Sequence, residues 1–301
     1  MTGVGFETTR GHAKVANCGD ALGCIRDGMA VGIGGALNTG HPMALVRALL
    51  QSGAQDLTIV SGFGSMEIDI LVGAGIAKRL IAAFVGTEGI SGLPPLIRWA
   101  SEMGRLEAWD VDEGLLITAL RAAAQRVPFT TWTGGMGTDI VTSPLSQPST
   151  DERSGRPYVK VMPLPIDVCL YWAEAADCDG NVLRWGPDFG DTGLAEASAV
   201  RIVQVERLVP TRHLQAAPDR VAPWQADVVV VAPLGTYPFA STLLRDDLEW
   251  LKNYMQQMSD LYKTGEWDRV RPALEKMLHL RGGEDAFLNA VGLPRIRELM
   301  A

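Results

Sequence analysis

The sequence has little of what several common enzyme classes require. It contains four histidines and four cysteines among 301 residues, and the cysteines form no Cys-x-x-Cys pair. No histidine lies at a spacing typical of zinc ligands, so we expect no metal site. We expect free thiols, as in a reducing cytoplasm. A Gly-x-Ser-x-Gly elbow is also missing, which argues against a Ser-His-Asp hydrolase.

The chain also lacks basic blocks and long apolar runs. Its formal net charge is −8 and its isoelectric point is near 5.1, so nucleic acids and anionic membranes are poor partners. No apolar run approaches the roughly 18 residues that a membrane span needs. Residues 1–14 are polar and glycine-rich, without the apolar segment of a signal peptide. We therefore predict a loose N-terminal arm over 1–14, a cytoplasmic protein and no membrane association.

Short apolar segments alternate with helical patterns through most of the chain. The predicted strands are 30–33, 57–60, 79–84, 106–109, 159–163, 167–172, 182–185, 202–205 and 227–231, and the predicted helices are 16–25, 42–51, 68–74, 94–103 and 112–127. Continuous apolar strands separated by helices indicate an α/β fold with a mostly parallel central sheet and helices on both faces. We predict this domain over 15–242 and a helical C-terminal extension over 243–301, with an exposed loop at 144–156.

The segment from Asp27 to Pro42 is the most informative part of the chain. An apolar strand runs into Gly34-Gly35, then into a polar loop closed by Gly-His-Pro, then into an apolar helix. Glycines at the end of a buried strand let backbone N–H groups approach a ligand closely. The spacing matches neither the Gly-x-Gly-x-x-Gly nor the Gly-x-x-x-x-Gly-Lys fingerprint of nucleotide sites. His41 either faces a ligand here or lies on the loop surface.

A second candidate site feature is Glu113, at the start of the predicted helix 112–127. Asp112 can cap this helix, and Glu113 falls in its first turn. One interpretation is a carboxylate that complements the helix dipole. The other is a base delivered to the ligand end of the sheet. Glu67, Asp69 and Glu88 follow predicted strands and are weaker candidates.

The segment Asp27–Pro42 resembles the first signature of family I coenzyme A transferases, except that Ala36 replaces a usual phenylalanine and Gly32 interrupts the aliphatic run. Further blocks resemble the alpha subunit of glutaconate-type coenzyme A transferases: 56–58, 75–79, 121–129, 177–181 and 231–235. The resemblance extends over most of the chain, from about Gly19 to Leu293. It implies a CoA-transferase/NagB-like fold.

The resemblance also implies a reaction, in which coenzyme A passes from one carboxylic acid to another. The family's nucleophilic glutamate belongs to a Ser-Glu-Asn-Gly sequence, which this chain does not contain. A beta subunit would therefore supply it, in an α2β2 assembly, and a coenzyme A thioester would be the substrate, with no tightly bound cofactor. Gly34 and Gly35 would stabilise the thioester oxyanion, aided by Asn38. Further expected substrate contacts are His41, Ser61, Gly62 and Phe63.

Residues 111–129 also resemble the alpha subunit of a hydrolase that opens a ring of a steroid-derived coenzyme A thioester. That resemblance implies that Glu113 is the base that adds water to a ring ketone. Glutaconate-type transferases need no acid at this position, so Glu113 separates the two interpretations. A third possibility is a non-catalytic subunit that only shapes the pocket of its partner.

Overall fold

The computed structural model describes residues 13–300, apart from 185, 187 and 189. The described strands are β1 Lys14–Ala16, β2 Ala30–Ile33, β3 Leu57–Gly64, β4 Ala77–Val85, β5 Glu107–Trp109, β6 Thr130–Trp132, β7 Ser146–Thr150, β8 Pro157–Val161, β9 Ile166–Ala176, β10 Asn181–Leu183, β11 Ser198–Leu208, β12 Val221–Gln225 and β13 Val228–Val231. The described helices are α1 Cys18–Ala21, α2 Met43–Leu49, α3 Met66–Gly73, α4 Pro95–Glu102, α5 Glu113–Ala124, α6 Asp191–Ala197, α7 Thr211–Leu214, α8 Leu248–Thr264, α9 Val270–Met277, α10 Gly283–Val291 and α11 Leu293–Leu299.

A mostly parallel sheet forms the centre of the molecule, which confirms the predicted fold class. Its main path runs β1-β13-β11-β9-β2-β3-β4-β5, and every neighbouring pair along this path is parallel. The short strands β10 and β12 add an antiparallel edge beside β9. Because the strands of this path run in the same direction, their carboxyl ends lie along one edge of the sheet. In folds of this kind, ligands bind at that edge.

Both faces of the sheet are covered, because alternate strand residues enter different cores. In β13, Val228 and Val230 belong to one apolar cluster while Val229 belongs to the other. Helices α1–α4 and the C-terminal helices pack on the first face. Helices α5 and α6, together with the small antiparallel sheet β6-β8-β7, pack on the second. Among the described helices, none is both long and apolar enough to cross a membrane.

The C-terminal helices are joined to the first face by buried polar contacts as well as apolar ones. Tyr254 of α8 is fully buried and donates a hydrogen bond to Asp69 Oδ2 at 2.8 Å. The Ile97 amide donates to the other oxygen of Asp69 at 2.8 Å. Burial raises the pKa of the Asp69 carboxyl to about 7, against the hydrogen bonds from Ile97 and Tyr254, which lower it. The extension is therefore part of the fold's core.

Several sequence predictions were wrong in detail. The predicted loop 144–156 contains β7, which pairs with β8 in the small sheet. The predicted helix 16–25 is only α1 followed by one 3₁₀ turn, Leu22–Cys24. The predicted arm 1–14 falls mainly outside the described residues, but Lys14 already begins β1, which pairs with β13. For β1 and β7, pairing with a strand distant in sequence, which local propensity does not reveal, decides the backbone.

Candidate functional site

The glycine turn follows β2 at the carboxyl edge of the sheet. Gly34 N–H donates to the Leu170 carbonyl at 2.9 Å, continuing the sheet pairing. Gly35 then adopts φ +98°, a left-handed value that favours glycine. Ala36 and Thr39 exchange two backbone hydrogen bonds of 2.9 Å, closing a two-residue turn over Leu37 and Asn38. The turn is therefore a fixed structure.

A carboxylate accepts the next amide of the turn. Gly35 N–H donates to Asp191 Oδ1 at 3.0 Å, and Asp191 is the first residue of α6. Burial raises the pKa of the Asp191 carboxyl to about 6, with the Gly35 hydrogen bond and the charge of His41 acting in the opposite direction. The amides of both Gly34 and Gly35 thus have acceptors in this chain, and the Gly35 acceptor carries the negative charge.

The two glycines are required by the packing of the chain itself. A Cβ atom on Gly34 would lie 2.8 Å from both Asp191 Oδ1 and Tyr171 Cβ. A Cβ atom on Gly35 would lie 2.7 Å from His41 Nδ1. These distances are far inside van der Waals contact. We predicted that the glycines allow close approach of a ligand, but neighbouring side chains of the chain itself occupy the space beside them.

His41 lies behind the turn and is completely buried. Its Nδ1 atom is 3.2 Å from Glu67 Oε1, its Nε2 atom is 2.9 Å from the Leu37 carbonyl, and its ring centroid is 4.3 Å from that of Phe239. Burial lowers the pKa of His41, but the Glu67 carboxylate and the Leu37 carbonyl outweigh it and raise the pKa above 6.5. The surface-loop interpretation of His41 was wrong, and His41 is a buried partner of Glu67 beneath the turn.

Asn38 ties the turn to two other loops. It is 9% exposed, and its Nδ2 atom donates to the Glu88 carbonyl at 3.2 Å and to Asp246 Oδ2 at 3.1 Å. Its backbone carbonyl accepts the Ala240 amide at 2.8 Å. Within the described part of the chain, Asn38 Oδ1 has no hydrogen-bond partner. The amide of Asn38 therefore positions the turn and leaves one acceptor unused.

The predicted strand 57–60 is longer in the structure, where Ser61-Gly62-Phe63-Gly64 forms the second half of β3. Its residues pair with β4, Ser61 opposite Ala82. The Phe63 carbonyl accepts the Leu37 amide at 3.0 Å, so β3 supports the glycine turn directly. Ser61 is fully buried, and its hydroxyl has no hydrogen-bond partner among the described residues. Gly62 is half-buried.

Glu113 begins α5, as the sequence predicted, with the Asp112 side chain accepting the Leu115 amide at 2.7 Å. Its side chain is exposed, and no hydrogen bond or ion pair to it occurs in the described residues. Helix α5 follows β5, which is three strands from β2 in the sheet. At about 4.8 Å per strand this separation is roughly 14 Å. Glu113 and the glycine turn share the carboxyl edge without being neighbours.

A cavity of about 140 Å³ opens beside the glycine turn. Its lining comes from the turn, from β9, from the segment after β10, from α6 and from β12: Gly35, Ala36, Thr39, Gly40, Tyr171, Trp172, Arg184, Gly186, Asp188, Asp191 and Trp224. Sequence reasoning missed Asp191 because 156 residues separate it from Gly35. Its position at a helix start after Gly190 was the one available signal.

Comparison with known proteins agrees with this architecture. A family model described as "Coenzyme A transferase" matches residues 16–224. The cholesterol ring-cleaving hydrolase IpdA subunit of Mycobacterium tuberculosis is 34% identical over 235 residues, which cover 72% of this chain and 78% of the relative. One subunit of the glutaconate CoA-transferase of Acidaminococcus fermentans is 28% identical over 308 residues, which cover 95% of this chain and 94% of the relative.

The solved structures show the same similarity in three dimensions. The crystal structure of glutaconate coenzyme A-transferase from Acidaminococcus fermentans superposes with a TM-score of 0.87 at 25% sequence identity. The match covers 96% of this chain and 96% of that chain, including the C-terminal extension. The described part of the chain contains no group of three or more His, Cys, Asp or Glu side chains arranged to hold a metal ion.

Proposed function

Because the chain belongs to the coenzyme A transferase family, we propose that it is the alpha subunit of a heteromeric acyl-coenzyme A transferase. In this proposal the chain supplies the glycine turn and the cavity beside it. A beta partner supplies the carboxylate nucleophile, and the two chains form an α2β2 assembly in the cytoplasm. The relatives that are named as transferases are themselves named as subunits, which supports a heteromer.

The observation that carries the proposal is the hydrogen bond from Gly35 N–H to Asp191 Oδ1. This amide already holds a negatively charged oxygen at 3.0 Å, at the carboxyl edge of a parallel sheet. A thioester carbonyl oxygen that gains charge during nucleophilic attack needs the same donor. Movement of the Asp191 side chain would free the amide for it. The Gly34 amide takes no part, since it bonds to Leu170, and Gly34 is needed because a Cβ there would meet Asp191.

The proposed chemistry needs a nucleophile from outside this chain. A partner glutamate attacks the thioester carbonyl carbon, and the carbon–sulfur bond breaks to release the coenzyme A thiolate. The resulting mixed anhydride is attacked at the glutamyl carbonyl by the thiolate, which releases the first carboxylate. The enzyme thioester then reacts with the acceptor acid in the reverse order. Charge accumulates on a carbonyl oxygen in each step, and the Gly35 amide would stabilise it.

The test is co-expression of this chain with the gene product encoded beside it. We expect the purified complex to exchange coenzyme A between an acyl-coenzyme A and acetate, with turnover that requires both chains. Each chain alone serves as the control and is expected to be inactive. A complex that assembles but shows no acetate-dependent exchange with any acyl-coenzyme A tested would contradict the transferase proposal.

A second candidate function is favoured by one specific observation. Glu113 is an exposed carboxylate without a partner among the described residues, at a helix N-terminus on the ligand edge of the sheet. The relative that is 34% identical is named as a ring-cleaving hydrolase subunit. We propose as the alternative that this chain belongs to a coenzyme A thioester-dependent hydrolase of carbon–carbon bonds, with Glu113 as the base.

Glu113→Gln in the assembled complex separates these candidates, because it removes the base and keeps the shape. The hydrolase alternative predicts a loss of roughly 100-fold or more in kcat, in line with general-base catalysis. The transferase proposal predicts a change below about tenfold. The matched control is Glu152→Gln. Glu152 is exposed and lies between β7 and β8 of the small sheet, so its substitution should have no effect on turnover in either case. If substitutions at both Gly34 and Glu113 leave turnover unchanged, the chain is a non-catalytic, pocket-forming subunit.

A further inference from the structure

The cavity beside the glycine turn has aromatic walls and room for more than solvent. Tyr171, Trp172 and Trp224 line it, and the rings of Tyr171 and Trp224 meet edge to face with centroids 4.5 Å apart. Its volume of about 140 Å³ greatly exceeds the roughly 10–15 Å³ that admits one water molecule. Such walls favour apolar carbon over water.

Three hydrogen-bond donors at this cavity have no acceptor. They are the Tyr171 hydroxyl, the Trp224 Nε1–H and the Arg184 Nε–H, all without a partner among the described residues. Tyr171 is 1% exposed and Trp224 is 7% exposed, and the Nε atom of Arg184 is itself buried, so bulk solvent does not reach the three donors. A buried donor that is left unpaired destabilises the fold. Three such donors around one cavity indicate an occupant that accepts hydrogen bonds.

The charges around the cavity indicate which acceptor fits. Arg184 is the one cation among its lining residues, and Arg184 Nη1 already forms an ion pair with Asp188 Oδ2 at 3.2 Å. Asp191 adds a second carboxylate, whose pKa of about 6 leaves it ionised at pH 8. One cation against two carboxylates gives the lining a negative balance. An anionic ligand would be repelled, while an uncharged oxygen would not.

We infer that this cavity is a subsite for an uncharged, oxygen-bearing group flanked by apolar carbon, and that it selects against a second carboxylate. Under the proposed function, on which this assignment of the occupant rests, the group belongs to the acyl chain of the thioester. The substrate is then an acyl-coenzyme A whose acyl chain carries a carbonyl or hydroxyl oxygen. Acyl groups that end in a free carboxylate are excluded from the cavity.

The test measures binding of two small probes to the full chain at pH 8 by ligand-observed NMR. Pentan-2-one carries an uncharged carbonyl, and butanoate carries a carboxylate, with the same number of non-hydrogen atoms. We expect saturable binding of pentan-2-one and at least tenfold weaker binding of butanoate. Equal affinity for the two probes, or no saturable binding of pentan-2-one, would overturn the inference.

Two variants assign the binding to the cavity. Tyr171→Phe and Trp224→Phe each remove one donor, and each should weaken pentan-2-one binding by about 2- to 10-fold, the worth of one net hydrogen bond. Tyr158→Phe removes a hydroxyl on β8, outside the cavity, and should leave the affinity unchanged. Unaltered affinity in both cavity variants would contradict the site.

Thermal stability gives an independent check on the unpaired hydroxyl. Because the Tyr171 hydroxyl has no partner among the described residues, Tyr171→Phe should leave the melting temperature of the chain unchanged or raise it. A fall of several degrees would mean that the hydroxyl is already satisfied, and would overturn the inference.

Probe binding uses the chain without its partner and without coenzyme A. If the probe does not bind but the co-expressed complex is active, only the subsite is refuted. If the probe binds but the complex is inactive, only the proposed enzyme function is refuted.

Discussion

The buried carboxyl of Asp69 gives the most quantitative prediction, because its pKa differs strongly between the folded and unfolded chain. The folded value is about 7 and the ordinary value is 3.8. A carboxyl whose pKa is raised on folding binds its proton more tightly in the native state. Its contribution to stability is therefore fully present below about pH 4 and is lost as the pH rises toward 7. Between pH 5 and pH 8 this single group should cost roughly 2–3 kcal/mol of unfolding free energy.

Asp69→Asn removes the titration and keeps the size of the side chain. An amide can accept the Ile97 hydrogen bond and donate to the Tyr254 oxygen, so both neighbours remain partnered. Urea unfolding of wild type and variant at pH 5 and pH 8 measures the effect. The stability of the variant relative to wild type should rise by roughly 2–3 kcal/mol between the two pH values.

Asp110→Asn is the matched control for this experiment, since Asp110 is exposed and forms no hydrogen bond or ion pair within the described residues. Its stability relative to wild type should not change between pH 5 and pH 8. A difference for Asp69→Asn that stays constant within about 0.5 kcal/mol would refute the linkage argument, because the carboxyl would then titrate alike in both states.

Two further substitutions test packing around the turn and the extension. Arg47→Met leaves Glu284 without its partner at 2.8 Å, and should lower the unfolding free energy by about 3 kcal/mol because Arg47 is 3% exposed. Arg79→Met breaks the exposed ion pair of Arg79 with Glu107 and should lower stability much less. Gly34→Ala places a Cβ 2.8 Å from its neighbours and should cost about 1–3 kcal/mol in thermal or urea unfolding. Gly23→Ala, with nothing within 4 Å, is its control, and equal effects of the two would contradict the steric argument.

The parts of the fold that follow from local patterns were predictable. The strand 30–33 matches β2 at both ends, and the helix that begins after Asp112 is α5 with that residue as its cap. Continuous apolar strands and the change to amphipathic helices after residue 242 indicated the parallel sheet and its extension. These features depend on residues close in sequence, where periodicity and capping act directly.

The arrangement of the candidate site was much less predictable. The contacts that define the glycine turn join residues far apart in sequence, such as Gly35 with Asp191. His41 looked like a loop residue because nothing local indicates that Glu67 and Phe239 enclose it. The predicted strand 57–60 ended before the serine and glycines that follow it, but pairing with β4 keeps these residues extended. Tertiary contacts override local propensity at each of these positions.

In the proposed enzyme the partner chain carries the nucleophilic glutamate and this chain stabilises the oxyanion, which borohydride trapping of the covalent intermediate tests. The co-expressed complex would be incubated with an acyl-coenzyme A, treated with borohydride, and digested for mass spectrometry. We expect loss of activity and a reduced glutamate on the partner chain only, since an enzyme thioester at that residue is reduced to an alcohol. A complex that turns over acyl-coenzyme A but resists borohydride, or that is reduced at a glutamate of this chain, would contradict it.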